Sequence, residues 1–244
     1  MFKSILTRLG VGGATLDARL DRDQVRVGEQ ITGTLFVSGG DGSLTANRAQ
    51  LRLKTRVEHE EHAADAVIAG TDIPGPFRLQ GEHRIPFTLP VPAHTPVTVY
   101  GGRVFVWLAS EMDVAMAVDP SDRDGLVVHP SAEQHNVIEA MRLLGFRMAK
   151  TDVEGRSAWF GRGYVQEFEF RPADYGRRRF DEVELVFEGL SPGRADLLVQ
   201  LDRAARGLGG LLREASGMDE SWTRLSVDAS SPDAAAAHLS RLLT

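Results

Sequence analysis

A chain of 244 residues, 42% hydrophobic and 25% charged, has the composition of a globular protein and the length to bury a core without staples. It contains no cysteine, which excludes disulfides, thiolate zinc sites and cysteine nucleophiles and fits a reducing compartment. The net charge of −6 is spread evenly, with 13 Lys plus Arg against 16 Asp plus Glu in residues 1–130 and 15 against 18 in residues 131–244, so no basic face for nucleic acid is expected.

The chain opens with MFKSILTRLGVGG. Phe2, Ile5, Leu6 and Leu9 share one face of a short amphipathic helix that Gly10 ends. Arg8 interrupts the apolar run before a signal-peptide core or a membrane span forms, so a cytoplasmic protein with no integral membrane segment is expected. A helix this short is not stable alone in water. Its apolar face therefore predicts docking, on the chain's own body or on a protein partner, and these four side chains are the candidate partner-binding residues. Gly10, Gly12 and Gly13 follow a helix instead of a strand, which is not the dinucleotide-binding arrangement.

From Ala14 the dominant period is two. In AQLRLKTRV, residues 49–57, Leu51, Leu53 and Val57 point one way while Gln50, Arg52, Lys54 and Arg56 point the other, the pattern of an antiparallel strand with one wet face. Residues 14–20, 31–37 and 103–109 read similarly, and the Gly-rich stretches SGGDGS, GTDIPGP and YGGR separate them like turns. No long helix links these strands, so a sandwich is predicted instead of βαβ units. The stretch EHEEHAAD sets His59 and His62 three apart, which is not the His-Glu-x-x-His spacing of zinc hydrolases, and a solvated hairpin end is expected there. In HRIPFTLPVPAHTPVT, Pro86 and Pro90 lie inside an alternating strand. Proline cannot donate to a sheet ladder, so this strand is expected at an edge or a bulge, with Pro92 and Pro96 forcing an extended exit.

The stretch VDPSDRDG places Asp119, Asp122 and Asp124 close together around Arg123. It lacks the ligand spacing of a calcium-binding loop and reads as turn chemistry, with Arg123 neutralising its neighbours and the four residues serving an interdomain polar contact. Behind Pro130, Ser131 and Gln134 form a capping box, Val137, Met141, Leu144 and Met148 repeat at helical spacing, and Gly145 ends the pattern. A helix over 132–144 is predicted, marking the junction between two β-rich regions. Alternation resumes in YVQEFEF, DEVELVFE and ADLLVQLD, where Glu167 and Glu169 fall on a wet face as an edge-protecting row. Leu208, Leu211 and Leu212 have helical spacing among glycines, and Ser231 with Pro232 opens a terminal helix of about three turns.

No catalytic constellation emerges. A Gly-x-Ser-x-Gly elbow is absent, since Ser157 lacks the second glycine, and no phosphate-binding loop occurs. No metal site and no cofactor are expected. Arg177, Arg178 and Arg179 read as a solvated turn.

The segment PFRLQGEHRIPFTLPVPAHTPVT resembles arrestin-fold domains. RLGVGGATLDARLDRDQVRVGEQITGTLFVSGG, VDPSDRDGLVVHP, LGFR and YVQEFEF together resemble bacterial sporulation-control proteins related to arrestins. The likeness runs from about residue 1 to about residue 215. It implies an all-β chain of two arrestin-like β-sandwich domains, 1–130 and 131–244, with a short N-terminal helix, a junction helix and a C-terminal helix. It further implies a non-enzymatic, cytoplasmic adaptor or regulator of sporulation, cell cycle or stress, acting through an unidentified protein partner. These are scaffold motifs, which transfer fold and no binding residue. The N-terminal helix is less basic than the family's. The alternative is a small-molecule- or metal-dependent enzyme with a site between the two sandwiches.

Overall fold

The computed structural model describes residues 15–59, 62–114, 119–155, 163–174, 180–202 and 222–243, with the side chains of 40–43 left aside. Phe2, Ile5, Leu6, Leu9, the glycines at 10, 12 and 13, Ser157, the arginines at 177–179 and the leucines at 208, 211 and 212 lie outside the described residues. The rest is mostly strand, the all-β class that the period of two requires.

The chain divides into two compact units, Met1–Val99 with Val104–His129, and Tyr100–Arg103 with Pro130–Thr244. The first unit contains β1 (Thr15–Leu20), β2 (Gln24–Arg26), β3 (Gln30–Glu58), β4 (Ala63–Pro90), β5 (Val106–Val114) and β6 (Ser121–His129). β3 and β4 form one long antiparallel hairpin that serves two layers. The first part of β3 also pairs with β1, from Thr15↔Ser38 to Leu20↔Gly33. Its last part pairs with β5, from Ala46↔Val114 to Thr55↔Val106. β6 continues beside β5, and β2 joins β6 in parallel. Of the glycine-rich stretches expected as turns, YGGR is one, with Gly101 and Gly102 at φ 83° and 76°, whereas SGGDGS and GTDIPGP lie within this hairpin at register shifts between Ser38 and Asp41, Asp41 and Thr45, and Ala46 and Arg48. Bulges bend a strand without ending it, and glycine tolerates their backbone angles.

Between the layers lie Leu16, Ile31, Leu35, Leu51, Leu53, Leu108 and Met112, all essentially without solvent exposure. Pro86 sits opposite Thr34 and Pro90 opposite Gln30. Among the described residues β4 pairs with β3 alone, so the missing N–H groups leave no ladder bond unmade, as the sequence requires. Past Pro90 the chain runs extended through Pro92 and Pro96 and is held by Thr98, whose N–H donates to the Val128 carbonyl at 2.9 Å.

The second unit is an antiparallel sheet ordered β7 (Phe146–Glu154), β8 (Val165–Pro172), β9 (Glu182–Ser191), β10 (Arg194–Asp202) and β11 (Thr223–Asp228). One face is covered by α1 (Ala132–Leu143) and α2 (Pro232–Leu243). The capping box of α1 is present: Gln134 N–H donates to Ser131 Oγ at 3.2 Å, and Ser131 N–H to Gln134 Oε1 at 2.9 Å. Gly145 adopts φ 81° after the last turn, a conformation costly for any residue with a Cβ. Ser131 and Ser231 cap alike, the latter accepting from Ala234 N–H at 3.1 Å. Val137, Met141, Phe168, Phe170, Val183, Leu185 and Leu239 form the core. Phe187 is only half-buried, with its ring edge-on to Phe168 at 5.5 Å. Among the described residues no helix is long and apolar enough to cross a membrane.

Candidate functional site

The aspartate group sits on β6, and the reading of VDPSDRDG as one turn is corrected: Ser121–His129 is strand. Only Asp119 does turn work, its Oδ1 accepting from Val114 N–H at 2.9 Å. Alternation along β6 then sorts the others. Asp122 is 7% exposed. Its Oδ2 accepts from Ala18 N–H of β1 at 2.9 Å and its Oδ1 from Arg123 N–H at 2.8 Å. A buried carboxylate thus satisfies a donor of β1 that no strand partner reaches.

Asp124 lies on the same side, half-buried, with Oδ2 enclosed and without a hydrogen-bond partner. Burial first, then the charges of Asp122 and Asp17 and a hydrogen bond with Asp122, push its pKa up to about 7. Two carboxyls this close favour holding one proton between them. Arg123 does not neutralise them. It points to the opposite face of β6, as the strand period demands, and its guanidinium lies over the Trp107 ring at 3.8 Å. Ala18, Val114 and Trp107, which these residues touch, all belong to the first unit.

His59 and His62 occupy the end of the β3–β4 hairpin, as the spacing suggests. His59 N–H donates to the His62 carbonyl at 2.8 Å, and the rings stack at 4.9 Å. His129 and His238 are spent on local contacts, the first near Gln24 Oε1 at 3.3 Å and the second accepting from Asp228 N–H at 3.2 Å. Among the described residues no group of three His, Asp or Glu is arranged to hold a metal ion. Glu169 lies on β8 beside Arg171, which also binds Glu182 on β9. Burial, then the charge of Glu169, raises the pKa of Glu182.

The outward face of β3, β5 and β6 carries a feature that the sequence reading passed over. Phe105, Trp107 and Ala109 alternate with the core residues Val106 and Leu108. Trp107 is buried under Arg123, whereas Phe105 is 56% exposed. Val127 on β6 and Val67 on β4 are exposed on the same face, at 39% and 56%. Three arginines of β3 on this face are ion-paired: Arg48 with Asp72 and Asp113, Arg52 with Asp72, and Arg56 with Asp65. Lys54 and Arg123 have no carboxylate partner among the described residues. The signal was there in RVFVWLA, where two aromatics fall on the wet parity of a strand.

The family model described as SpoOM protein matches residues 2–205. The chain belongs to this family. It is 36% identical to the sporulation-control protein spo0M of Bacillus subtilis (strain 168) over 233 residues, spanning 92% of this chain and 89% of that protein. The crystal structure of Spo0M, the sporulation control protein from Bacillus subtilis, superposes with a TM-score of 0.79 at 33% identity, covering 95% of this chain and 97% of that one. Similarity of this extent carries over both units, so the SpoOM resemblance rests on the whole architecture and not on one motif.

Proposed function

We propose that the chain is a non-enzymatic cytoplasmic adaptor with arrestin-like units that regulates development, cell cycle or stress behaviour by binding a protein partner. The observation that carries this reading is the 36% identity to a sporulation-control protein over 92% of the chain. The chemistry is in keeping with it. Asp124, the carboxyl pushed up to about 7, is half-buried beside Asp122, whose own carboxylate is spent on the Ala18 N–H of β1, and the exposed Phe105, Val127 and Val67 lie on a sheet face, a shape suited to a macromolecule. The N-terminal residues Phe2, Ile5, Leu6 and Leu9 are a second candidate contact.

Deleting the gene from its host and scoring sporulation and stress survival tests the regulatory half of the proposal. Cross-linking in living cells tests the partner half. A shifted phenotype restored by the intact gene, together with a specific cross-linked protein, is the expected result; a strain indistinguishable from its parent overturns the reading.

A further inference from the structure

We propose that the outward face of β4, β3, β5 and β6 docks an acidic peptide segment of a protein partner. Its large apolar side chain would rest on Phe105, Val127 and Val67, and its carboxylates would meet Lys54 and Arg123. This rests on the reading that the chain works through a protein partner.

The strand registers bring these residues together. Val106 opposes Leu126 and Thr55 opposes Val106, so Phe105 falls beside Val127 on one side and Arg56 on the other. Lys54 opposes both Trp107 and Val67. Phe105 and Val127 thus sit side by side, and Val67 lies across Lys54 on β4, so the apolar side chains flank a cation on a face made by the four strands β4, β3, β5 and β6. Solvated faces of antiparallel sheets are ordinarily polar, so exposed aromatic and aliphatic side chains grouped on one mark a contact surface.

Charge selects the occupant. On a protein of net charge −6, this face holds two cations that no carboxylate of the described residues neutralises. Arg123 is also held in place, its guanidinium stacked at 3.8 Å on Trp107. A cation fixed before binding loses little side-chain freedom when a carboxylate arrives. The same stacking covers the Trp107 ring and leaves Phe105 as a single open aromatic here, short of the row of rings on which successive bases stack, which favours a peptide over single-stranded RNA.

The test uses the full chain and a labelled peptide, four repeats of Glu-Glu-Phe, followed by fluorescence anisotropy. Saturable binding that weakens with added salt is expected, along with chemical-shift changes confined to this face of β3, β4, β5 and β6. Phe105→Ser should weaken binding about tenfold and Lys54→Gln about two- to fivefold, both with unchanged melting temperature. Lys-Lys-Phe repeats, Glu-Glu-Ala repeats and a twelve-nucleotide oligouridine should bind more weakly. No saturable binding, equal binding by the variants, or tighter binding of the oligouridine overturns the proposal. Introducing Phe105→Ser and Lys54→Gln into the host separates the two readings. A deletion phenotype that both variants still rescue fully removes this docking face and leaves the regulatory role standing, whereas a missing deletion phenotype removes the role itself.

Discussion

In the second unit the face bearing Phe168, Phe170, Leu185 and Leu197 is closed by two capped helices, α1 and α2. The first unit closes its core strand against strand, with β1 lying on β5 and β6 and the long β3–β4 hairpin contributing to both layers. The contrast shows up on the surface. Along the strands of the first unit the outward parity faces solvent, so an aromatic there is either covered by a neighbour, as Trp107 is by Arg123, or left open, as Phe105 is. The helix-covered unit leaves Leu143 of α1 exposed as a single side chain, whereas the first unit sets Phe105 and Val127 side by side on one sheet face, an apolar surface that needs a reason.

The sharpest way to break that contrast is to empty the helix-covered core. Phe168 is 1% exposed and packs edge-on against Tyr100 and Phe187, so Phe168→Ala should cost about 3–5 kcal/mol in denaturant unfolding. Leu239 of α2 has no exposure, and Leu239→Ala should cost about 2–5 kcal/mol. A loss under about 1 kcal/mol would mean that α2 is not what seals the sheet. Next comes the cap: Ser131→Ala removes the acceptor for Gln134 N–H and should cost about 1 kcal/mol by thermal melting.

A smaller effect, one of slope, belongs to the first unit. The Asp124 pKa, at about 7, stands above the ordinary 3.8, so the folded state holds the proton more tightly than the unfolded chain does. This contribution to stability is fully present below about pH 4 and is lost as the pH rises through about 7. Asp124→Asn should flatten that part of the stability–pH curve, and an unchanged curve would show that Asp122 and Asp124 share no proton. The smallest effect is expected at Phe105, where replacement by serine should alter stability by no more than about 0.5 kcal/mol. A larger loss would place Phe105 in the core and erase the difference between the units.

The period of two was enough to read most strands, because burial on one face forces alternation. Leu51, Leu53, Val183 and Leu185 are all without exposure, as their positions require. Helix ends were equally plain, since Ser131, Gln134 and Gly145 act through local backbone chemistry. What the sequence hid was continuity. Glycines that look like turns in residues 38–48 are bulges because the paired strand β4 carries the register past them, and pairing with a distant segment leaves no local trace. The aspartates were found, but their chemistry was not. Arg123 sits next to two carboxylates in sequence and points away from both, while the Asp122 partner, Ala18, is 104 residues distant.

Tyr100–Arg103 is threaded through the first unit's stretch of sequence yet clusters with the second. Its tyrosine meets Phe168 at 6.3 Å, and Gly102 passes so near Thr151 that a Cβ there would come within 2.3 Å of the carbonyl oxygen. No single cut in the gene therefore yields both units whole. A fragment ending at 129 carries off a piece of its neighbour's core, and a fragment starting at 130 lacks it. Recombination that shuffles modules between genes would have to move this pair as one inherited block.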